Sequence, residues 1–239
     1  MLILGIDTTT LSCSVAMLQG DFVLAELTLN IKKTHSERLM PLVDLMLTEA
    51  GMEREELEAI AVAAGPGSFT GLRIGVSTAR ALAQGLGIPA VPICTLEALA
   101  DTVPAPGALI CPLLDARRSQ VYTALYYRQL QSPFNLQTLI EPAAQSLSAL
   151  TTALQKYDQP VIFVGEGLHS YADTLTETMA GQAVVTAAPH RLCRATLVAI
   201  RGHGLLQENP ERHYEEVLPV YLRKPEAERL AAERQGGLE

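Results

Sequence analysis

The chain has 239 residues, of which 48% are hydrophobic and 18% are charged, which predicts one large domain or two modest ones around a well-filled core. Its net charge of −8 argues against a protein that binds nucleic acid alone, because phosphate binding requires a basic face. No apolar run is long enough to span a membrane, and the N-terminal sequence MLILGIDTTT lacks the basic region of a signal peptide.

The cysteines indicate the cellular compartment. Cys13, Cys94, Cys111 and Cys193 are widely separated, each lies in an apolar stretch, and no pair has metal-ligand or redox spacing. Reduced core cysteines of this kind are typical of the reducing cytoplasm. We therefore expect a cytoplasmic protein without membrane association.

The N-terminal stretch predicts a β-meander. Apolar or alternating segments are interrupted by the hairpin turn Gln19-Gly20-Asp21. The predicted strands are Leu2–Asp7, Ser12–Leu18 and Phe22–Leu29.

A helix is predicted over Thr34–Ala50, and it is apolar on almost all sides. Thr34 and Glu37 fit a capping box at its start, and Gly51 fits a C-terminal stop. Pro41 falls inside the pattern, where it would bend the helix. A helix packed on one sheet normally shows a broad polar stripe, which is missing here. We therefore expect one side to pack on the sheet and the other to need a partner.

The stretch from Ala63 to Ile93 joins a glycine-rich turn to a helix of about four turns. Strands are predicted on either side, over Ala59–Ala64 and Ala90–Ile93. The turn Gly65–Gly71 is not a phosphate-binding P-loop, because Leu72 stands where that motif requires lysine.

Small residues recur at every fourth position of this helix, at Gly71, Gly75, Ala79 and Ala83. On a helix, that spacing makes one ridge with almost no side chain on it, so another backbone can approach closely. The ridge looks too bare to be filled from inside alone, and we expect it to dock a partner.

The linker Val103–Gly107 separates two halves that predict the same order of elements. The first half ends with a helix over Thr95–Thr102. The elements predicted in the second half are strands Ala108–Leu114, Gln120–Arg128 and Leu136–Ile140, helix Ser146–Lys156, strand Val161–Val164, helix His169–Met179, strand Ala183–Thr186 and helix Ala195–Gln207.

The duplicated order β-β-β-α-β-α-β-α predicts an α/β protein with two lobes. A duplicated unit of this kind with a hinge is the plan of the actin-like ATPase (ASKHA) fold, whose members bind nucleotide between the lobes. We assign residues 1–103 to an N-terminal lobe with partner-binding helices, residues 108–225 to a C-terminal lobe and residues 226–239 to a charged tail.

The sequence shows only half of a nucleotide cleft. In the actin-like fold, the turn that corresponds to Gly5–Thr10 offers an aspartate and hydroxyls to phosphate and its metal, and backbone donors in such turns favour anions. The expected second turn, Val164–Gly167, has no aspartate. The histidines show no metal-ligand spacing, and His35-Ser36-Glu37 cannot form a triad because sequence neighbours point to different sides of a helix.

Five segments of the chain carry a family resemblance. They are GIDTTTLSCSVA from Gly5, THSERLMPLVDLML from Thr34, GPGSFTGLRIGVSTARALAQGLGIPAVPICTLEALA from Gly65, LLDARRSQVYTALY from Leu113 and PVYLRKPEAER from Pro219. Together they resemble the bacterial TsaB (YeaZ) family. The resemblance implies a non-catalytic subunit that binds its paralogue TsaD. With the P-loop ATPase TsaE, they place a threonylcarbamoyl group on the adenosine beside the anticodon of tRNAs reading codons that begin with A.

The resemblance also implies that the chain lacks the metal site of TsaD. TsaD carries a His-x-Glu-x-His type of motif after the strand that follows its glycine helix, and the matching positions here read Thr95, Glu97 and Leu99. Threonine is a poor metal ligand and leucine cannot be one. We therefore expect no catalytic, cofactor-binding or metal-binding residue in the isolated chain. ATP, ADP and metal are expected in the partner proteins or the assembled complex.

The expected partner interface lies on two helices. The residues assigned to it are Leu39, Met40, Val43, Met46, Leu47, Gly71, Gly75, Ala79 and Ala83. Two helices from each of two subunits would form a four-helix contact, either with TsaD or with a second copy of the chain. Contact with tRNA is expected to be indirect, and the sequence leaves open whether the isolated chain is a monomer or a homodimer.

Two alternatives remain open on the sequence. A metallopeptidase or kinase-like enzyme of the same fold would hold metal or turn over ATP alone; the missing histidines and the incomplete second turn argue against it. A nucleotide-sensing module would form its ATP site only at the partner interface.

Overall fold

The chain folds into two lobes, each built around a five-stranded mixed sheet. The computed structural model describes residues 1–130, 135–210 and 213–223, so the predicted tail 226–239 lies outside the described residues. The strands of the first sheet are β1 (Leu2–Asp7), β2 (Ser12–Gln19), β3 (Phe22–Asn30), β4 (Ala59–Gly65) and β5 (Ala90–Cys94). The strands of the second sheet are β6 (Leu109–Asp115), β7 (Gln120–Arg128), β8 (Leu136–Ser146), β9 (Val161–Val164) and β10 (Ala183–Val185).

The described residues also form six α-helices. They are α1 (Leu39–Ala50), α2 (Phe69–Leu86), α3 (Thr95–Ala100), α4 (Leu147–Leu154), α5 (Leu168–Thr178) and α6 (Ala195–Glu208). Short 3-10 turns occur at His35–Glu37, Arg54–Glu56, Ala188–Arg191 and Tyr214–Glu216. Within the described ranges, no helix combines the length and the apolar character needed to cross a bilayer.

Both sheets have the same topology. The first runs β3-β2-β1-β4-β5, and the second runs β8-β7-β6-β9-β10. In each, three strands form an antiparallel meander, and the other two extend the sheet in parallel from its first strand. The predicted duplicated, two-lobed actin-like α/β architecture is therefore confirmed.

The two halves of the chain exchange helices. On the first sheet, α1 and α2 cover one face, while α6 covers the other. On the second sheet, α4 and α5 cover one face, while α3 packs on the other. The division predicted at residues 103 and 108 therefore follows the sheets but not the helices, because α6 comes from the second half and packs on the first sheet.

The start of α1 differs from the prediction. The side chain of Thr34 makes no capping hydrogen bond, so the predicted capping box does not form. The chain instead makes a 3-10 turn and enters α1 at Leu39, which places Pro41 in the first turn of the helix. Proline fits there because the first-turn N–H groups have no partner within the helix. The end is as predicted, with Gly51 in the left-handed region at φ 65°.

Strand β8 is longer than predicted and ends at Ser146 rather than Ile140. The predicted strand stopped short of Pro142, which cannot donate a ladder hydrogen bond. Because β8 is an edge strand, the missing donor costs little. Ser146 then caps α4 as predicted, with its Oγ accepting from the Ala149 N–H at 3.2 Å.

Candidate partner face and interlobe cleft

Most of the α1 residues assigned to a partner lie in the core of the first lobe. Leu39, Val43, Met46 and Leu47 are all buried against the first sheet, and Met40 is half-buried. The apolar content of α1 is thus largely used by its own lobe, which corrects the prediction that these side chains need a partner.

The ridge of small residues on α2 is also filled from inside. Gly71, Gly75, Ala79 and Ala83 are buried, and a Cβ added at either glycine would collide with Thr8 in the β1–β2 turn. The Thr8 hydroxyl donates to the Gly71 carbonyl at 2.8 Å. The prediction that the ridge docks a partner because nothing inside could fill it is therefore wrong.

The opposite sides of α1 and α2 face outward next to each other, because both helices pack in one core cluster on the same sheet face. The two helices also expose the charged Glu49 and Arg73; we call the outer helical face the exposed residues Pro41, Leu45, Thr48, Ser77, Ala81 and Gln84. None of these carries a charge, and Leu45 exposes 49% of its surface. A surface depleted of charge is typical of the core of a protein–protein interface.

A cleft of about 880 Å³ separates the lobes. The first lobe lines it with the β1–β2 turn at Thr9 and Thr10 and with the start of α2. The second lobe lines it with the β6–β7 turn at Asp115 and Arg117 and with the residues around Glu166. The cleft lies where the predicted fold places a ligand site between its lobes.

The duplicated topology shows which turn of the second lobe corresponds to the β1–β2 turn of the first lobe. Asp7 ends β1 and Asp115 ends β6, and these strands hold the same position in their sheets. Likewise, Gly65 at the end of β4 corresponds to Gly165 just after β9, and both have positive φ. The structural counterpart of the first turn is therefore the hairpin that begins at Asp115, and not Val164–Gly167 as the sequence predicted.

Two carboxyl groups near the cleft, those of Asp7 and Glu166, have raised pKa values. Asp7 is fully buried, and its Oδ1 accepts from the Thr9 N–H at 2.9 Å and from the Thr9 hydroxyl at 2.7 Å. Its Oδ2 has no hydrogen-bond partner in the described structure, and burial raises the pKa of Asp7 to about 6. Burial also raises the pKa of Glu166, with the charges of Asp115 and Asp7 adding to the effect.

The second-lobe turn presents basic groups from a strained backbone. Arg117, Arg118 and Ser119 all have positive φ, between 53° and 63°, which is costly for residues with a side chain. Arg117 N–H donates to Asp115 Oδ1 at 2.7 Å and so helps to hold the turn. These arginines line the cleft together with Lys32, so basic groups face its carboxylates.

Thr95, Glu97 and Leu99, which the family resemblance sets against the metal motif of TsaD, lie in the layer between the lobes. Thr95 and Leu99 are buried, and Leu99 belongs to the core that joins α3 to the second sheet. Glu97 pairs with Arg201 of α6, with 2.8 Å between Oε2 and Nη1. Among the described residues, no group of three or more His, Cys, Asp or Glu side chains is placed to hold a metal ion.

The same layer contains an ionic network that sequence analysis missed. Asp101, directly after α3, accepts from Arg201 Nε at 2.6 Å and from Arg128 Nη2 of β7 at 2.9 Å, so it joins elements of both lobes. The partners lie 27 and 100 positions from Asp101 in the sequence. No local spacing signals such a contact, which arises only when α3 and α6 exchange lobes.

His35, His190 and the cysteines have structural surroundings. His35 Nε2 donates to the Thr10 carbonyl at 2.9 Å, and His190 Nδ1 donates to the Thr102 carbonyl at 2.8 Å. The cysteines are free; Cys94 is half-buried and the other three are buried. Burial raises the pKa of Cys111 to about 12, which keeps its thiol protonated and unreactive.

Comparison with known proteins gives consistent matches across both lobes. Residues 22–231 match the family model described as TsaD: tRNA N6-adenosine threonylcarbamoyltransferase. The tRNA threonylcarbamoyladenosine biosynthesis protein TsaB of Bacillus subtilis is 35% identical over 98% of this chain and 100% of its own length. The Escherichia coli protein of the same name is 31% identical over 93% of this chain and 95% of its own. The solved structure of YeaZ from Pseudomonas aeruginosa has 27% identity and a TM-score of 0.74, covering 92% of this chain and 99% of its own.

Proposed function

The chain belongs to the TsaB family of tRNA threonylcarbamoyladenosine biosynthesis proteins, and we propose that it is the non-catalytic subunit that binds and activates a TsaD-type transferase. The observation that carries this proposal is how Thr95, Glu97 and Leu99 are packed between the two lobes. Leu99 lies in a hydrophobic core, Thr95 is buried, and Glu97 is occupied by Arg201. These three positions match the metal motif of TsaD, and their packing suits a structural role rather than metal binding.

The outer helical face is the proposed contact with the transferase. Its six residues are uncharged, although Glu49 and Arg73 are exposed on the same helices, and it lies on two neighbouring helices that are anchored in the core of the first lobe. A stable interface needs about 800 Å² from each partner, and two helices side by side can supply that area. In the absence of the transferase, we propose that the same face pairs with a second copy of the chain.

The remaining components enter the proposal through the partner. TsaE joins the assembly, and the tRNA is held chiefly by other subunits, because a chain of net charge −8 repels phosphate. ATP, ADP and metal are bound by the partner proteins or by the assembled complex. The net negative charge of this chain is compatible with its place in the complex, because the other subunits bind the tRNA.

Reconstitution from purified components tests this function. The mixture contains the TsaD-type protein, TsaE, ATP, the threonylcarbamoyl-adenylate donor and tRNA, with or without this chain. We expect modified adenosine to form at a sustained rate only when the chain is present. Equal modification without the chain would contradict the proposal, and so would modification by the chain and donor alone.

The cleft supports a second candidate, a module that senses nucleotide within the complex. The cleft has a volume of about 880 Å³, which is within the usual range for small-molecule sites and suits a nucleotide. Turns from both lobes line it. Calorimetric titration of ATP into the isolated chain and into the complex with its partner distinguishes the cases. Heat of binding only in the complex favours the sensing module, while turnover by the isolated chain favours an enzyme.

A further inference from the structure

The last part of the chain that the structure describes crosses from one lobe to the other. Val217 is fully buried in the core of the first lobe, directly after the 3-10 turn Tyr214–Glu216. The following residues pass the carboxyl ends of β4 and β5 and reach the β6–β7 turn. We call residues 217–223 the strap.

The strap is attached to the first lobe at two points. Val220 N–H donates to the Ala64 carbonyl at 2.7 Å, which continues the hydrogen bonding of β4. A Cβ on Gly65 would collide with the Val220 carbonyl, so this seat requires glycine. Beyond it, the Tyr221 ring packs on Phe69 of α2, with 4.9 Å between the ring centroids.

Arg73 of α2 reinforces this attachment. Its Nε donates to the Tyr221 hydroxyl at 3.2 Å, and its guanidinium lies 4.0 Å above the Phe69 ring. Aromatic packing and a cation–π contact are both favourable at partly exposed sites. Tyr221 is therefore the side chain that fixes the strap to α2.

The strap is attached to the second lobe through Arg223. Its Nη1 donates to the carbonyl of Ala116 and lies 3.4 Å from the carbonyl of Arg117. These carbonyls belong to the hairpin whose residues 117–119 have positive φ. One guanidinium thus bridges the strained turn of the second lobe to a segment anchored in the first.

The strap also forms a wall between two cavities. Val220 and Leu222 line the interlobe cleft and, in addition, an apolar pocket of about 200 Å³. That pocket is formed by Gly65, Ile93 and Cys94 at the carboxyl ends of β4 and β5, together with three prolines. In open α/β sheets, ligands bind at this edge of the parallel strands. The strap therefore covers the edge of the sheet where a ligand or partner segment would enter.

We propose that the strap is a releasable latch that holds the two lobes together, with Tyr221 attached to the first lobe and Arg223 to the second. Leu218, Val220 and Tyr221 expose 57%, 49% and 37% of their surfaces, so the strap beyond Val217 can detach while Val217 stays in the core of the first lobe. Its release widens the cleft and joins it to the apolar pocket. This device is a property of the isolated chain and does not rest on the proposed function.

Distance measurements between two spin labels test the latch. The labels are placed at Lys32→Cys and Ser170→Cys, two exposed residues that line the cleft from opposite lobes, in a full-length chain that carries Cys94→Ala. The test variant is Arg223→Met. The matched control is Arg54→Met, an exposed arginine that pairs with Asp44 on the first lobe, away from the cleft.

We expect Arg223→Met to lengthen the mean distance by more than about 2 Å and to broaden its distribution, with Arg54→Met unchanged. Unchanged distances in Arg223→Met would overturn the proposal. Hydrogen exchange at the Val220 amide gives a second readout, which we expect to accelerate in Tyr221→Phe because the bond to Arg73 is lost. Exchange at the wild-type rate in Tyr221→Phe would show that Tyr221 does not hold the strap.

Discussion

Asp7 is an ionisable residue that is completely buried at the end of β1, next to the β1–β2 turn that lines the cleft. Its pKa is raised from 3.8 to about 6 because burial disfavours the charged carboxylate. In the unfolded chain the same group ionises at lower pH. The neutral form therefore stabilises the fold in acid, and this contribution is lost as the pH rises through about 6.

We predict that Asp7→Asn reduces the pH dependence of stability. Between about pH 4.5 and about pH 7.5, the unfolding free energy of the variant should fall less than that of the wild type, by about 2 kcal/mol. Urea unfolding at the two pH values measures this difference. Asp21→Asn in the exposed β2–β3 turn is the matched control. Parallel pH profiles for Asp7→Asn and wild type would show that Asp7 is not held neutral.

Asp101 is the residue that both arginines of the ionic network between the lobes contact. Its side chain is 1% exposed and accepts from two guanidinium groups, one on α6 and one on β7. Removing one member of a buried ion pair leaves an uncompensated charge, which costs about 3–5 kcal/mol. We therefore predict a loss of that size for Asp101→Asn, measured by denaturant unfolding.

The surface pair Asp44–Arg54 provides the control for this prediction. Both side chains are about half exposed, so Asp44→Asn should cost less than about 1 kcal/mol. Equal losses for Asp101→Asn and Asp44→Asn would contradict the role given to the buried network.

At the level of secondary structure, α6 depends on a close approach to the first sheet. A Cβ added at Gly202 would collide with Ala61 of β4, while a Cβ at Gly204, two residues along, meets no atom within 4 Å. The two glycines thus have the same helical setting but opposite surroundings. They form a matched pair within one element.

We predict that Gly202→Ala destabilises the protein by about 1–3 kcal/mol, because the added methyl group overfills the contact with β4. Gly204→Ala should stabilise it by up to about 1 kcal/mol, because alanine favours the helix and the site is open. Thermal unfolding of the two variants measures the difference. A similar effect of both substitutions would mean that α6 does not pack on the sheet as described.

The elements themselves could be predicted well from the sequence, because most follow local signals. Strand β7 and the glycine stop at Gly51 depend on alternation and turn chemistry within a few residues. The extension of β8 past Pro142 could not be predicted, since it depends on β8 being an edge strand. The exchange of α3 and α6 between lobes likewise depends on packing between residues far apart in the chain.

At the scale of the whole molecule, the family and the two-lobed architecture followed from motifs spread along nearly the full chain. The orientation of α1 and α2 did not follow, because periodicity shows that a ridge of small residues exists but not which surface covers it. Thr8 fills that ridge from the β1–β2 turn, a contact that spans 63 positions in sequence. Gly75→Leu would therefore disturb the fold itself and cannot serve as a clean test of docking.

The exposed residue Leu45 gives a cleaner test of the proposed partner face. It exposes 49% of its surface, so a substitution there should leave the stability of the isolated chain within about 0.5 kcal/mol of wild type. Leu130 exposes 71% of its surface on the second lobe, where no contact with the transferase is proposed. Leu45→Glu and Leu130→Glu are thus the same chemical change on two different surfaces.

The most direct test is calorimetric titration of the TsaD-type transferase into wild type, Leu45→Glu and Leu130→Glu. If the outer helical face binds the transferase, burying a carboxylate there should weaken the affinity at least about tenfold. Leu130→Glu should bind as the wild type does. Wild-type affinity for Leu45→Glu, or failure of the wild-type chain to bind the transferase at all, would contradict this account.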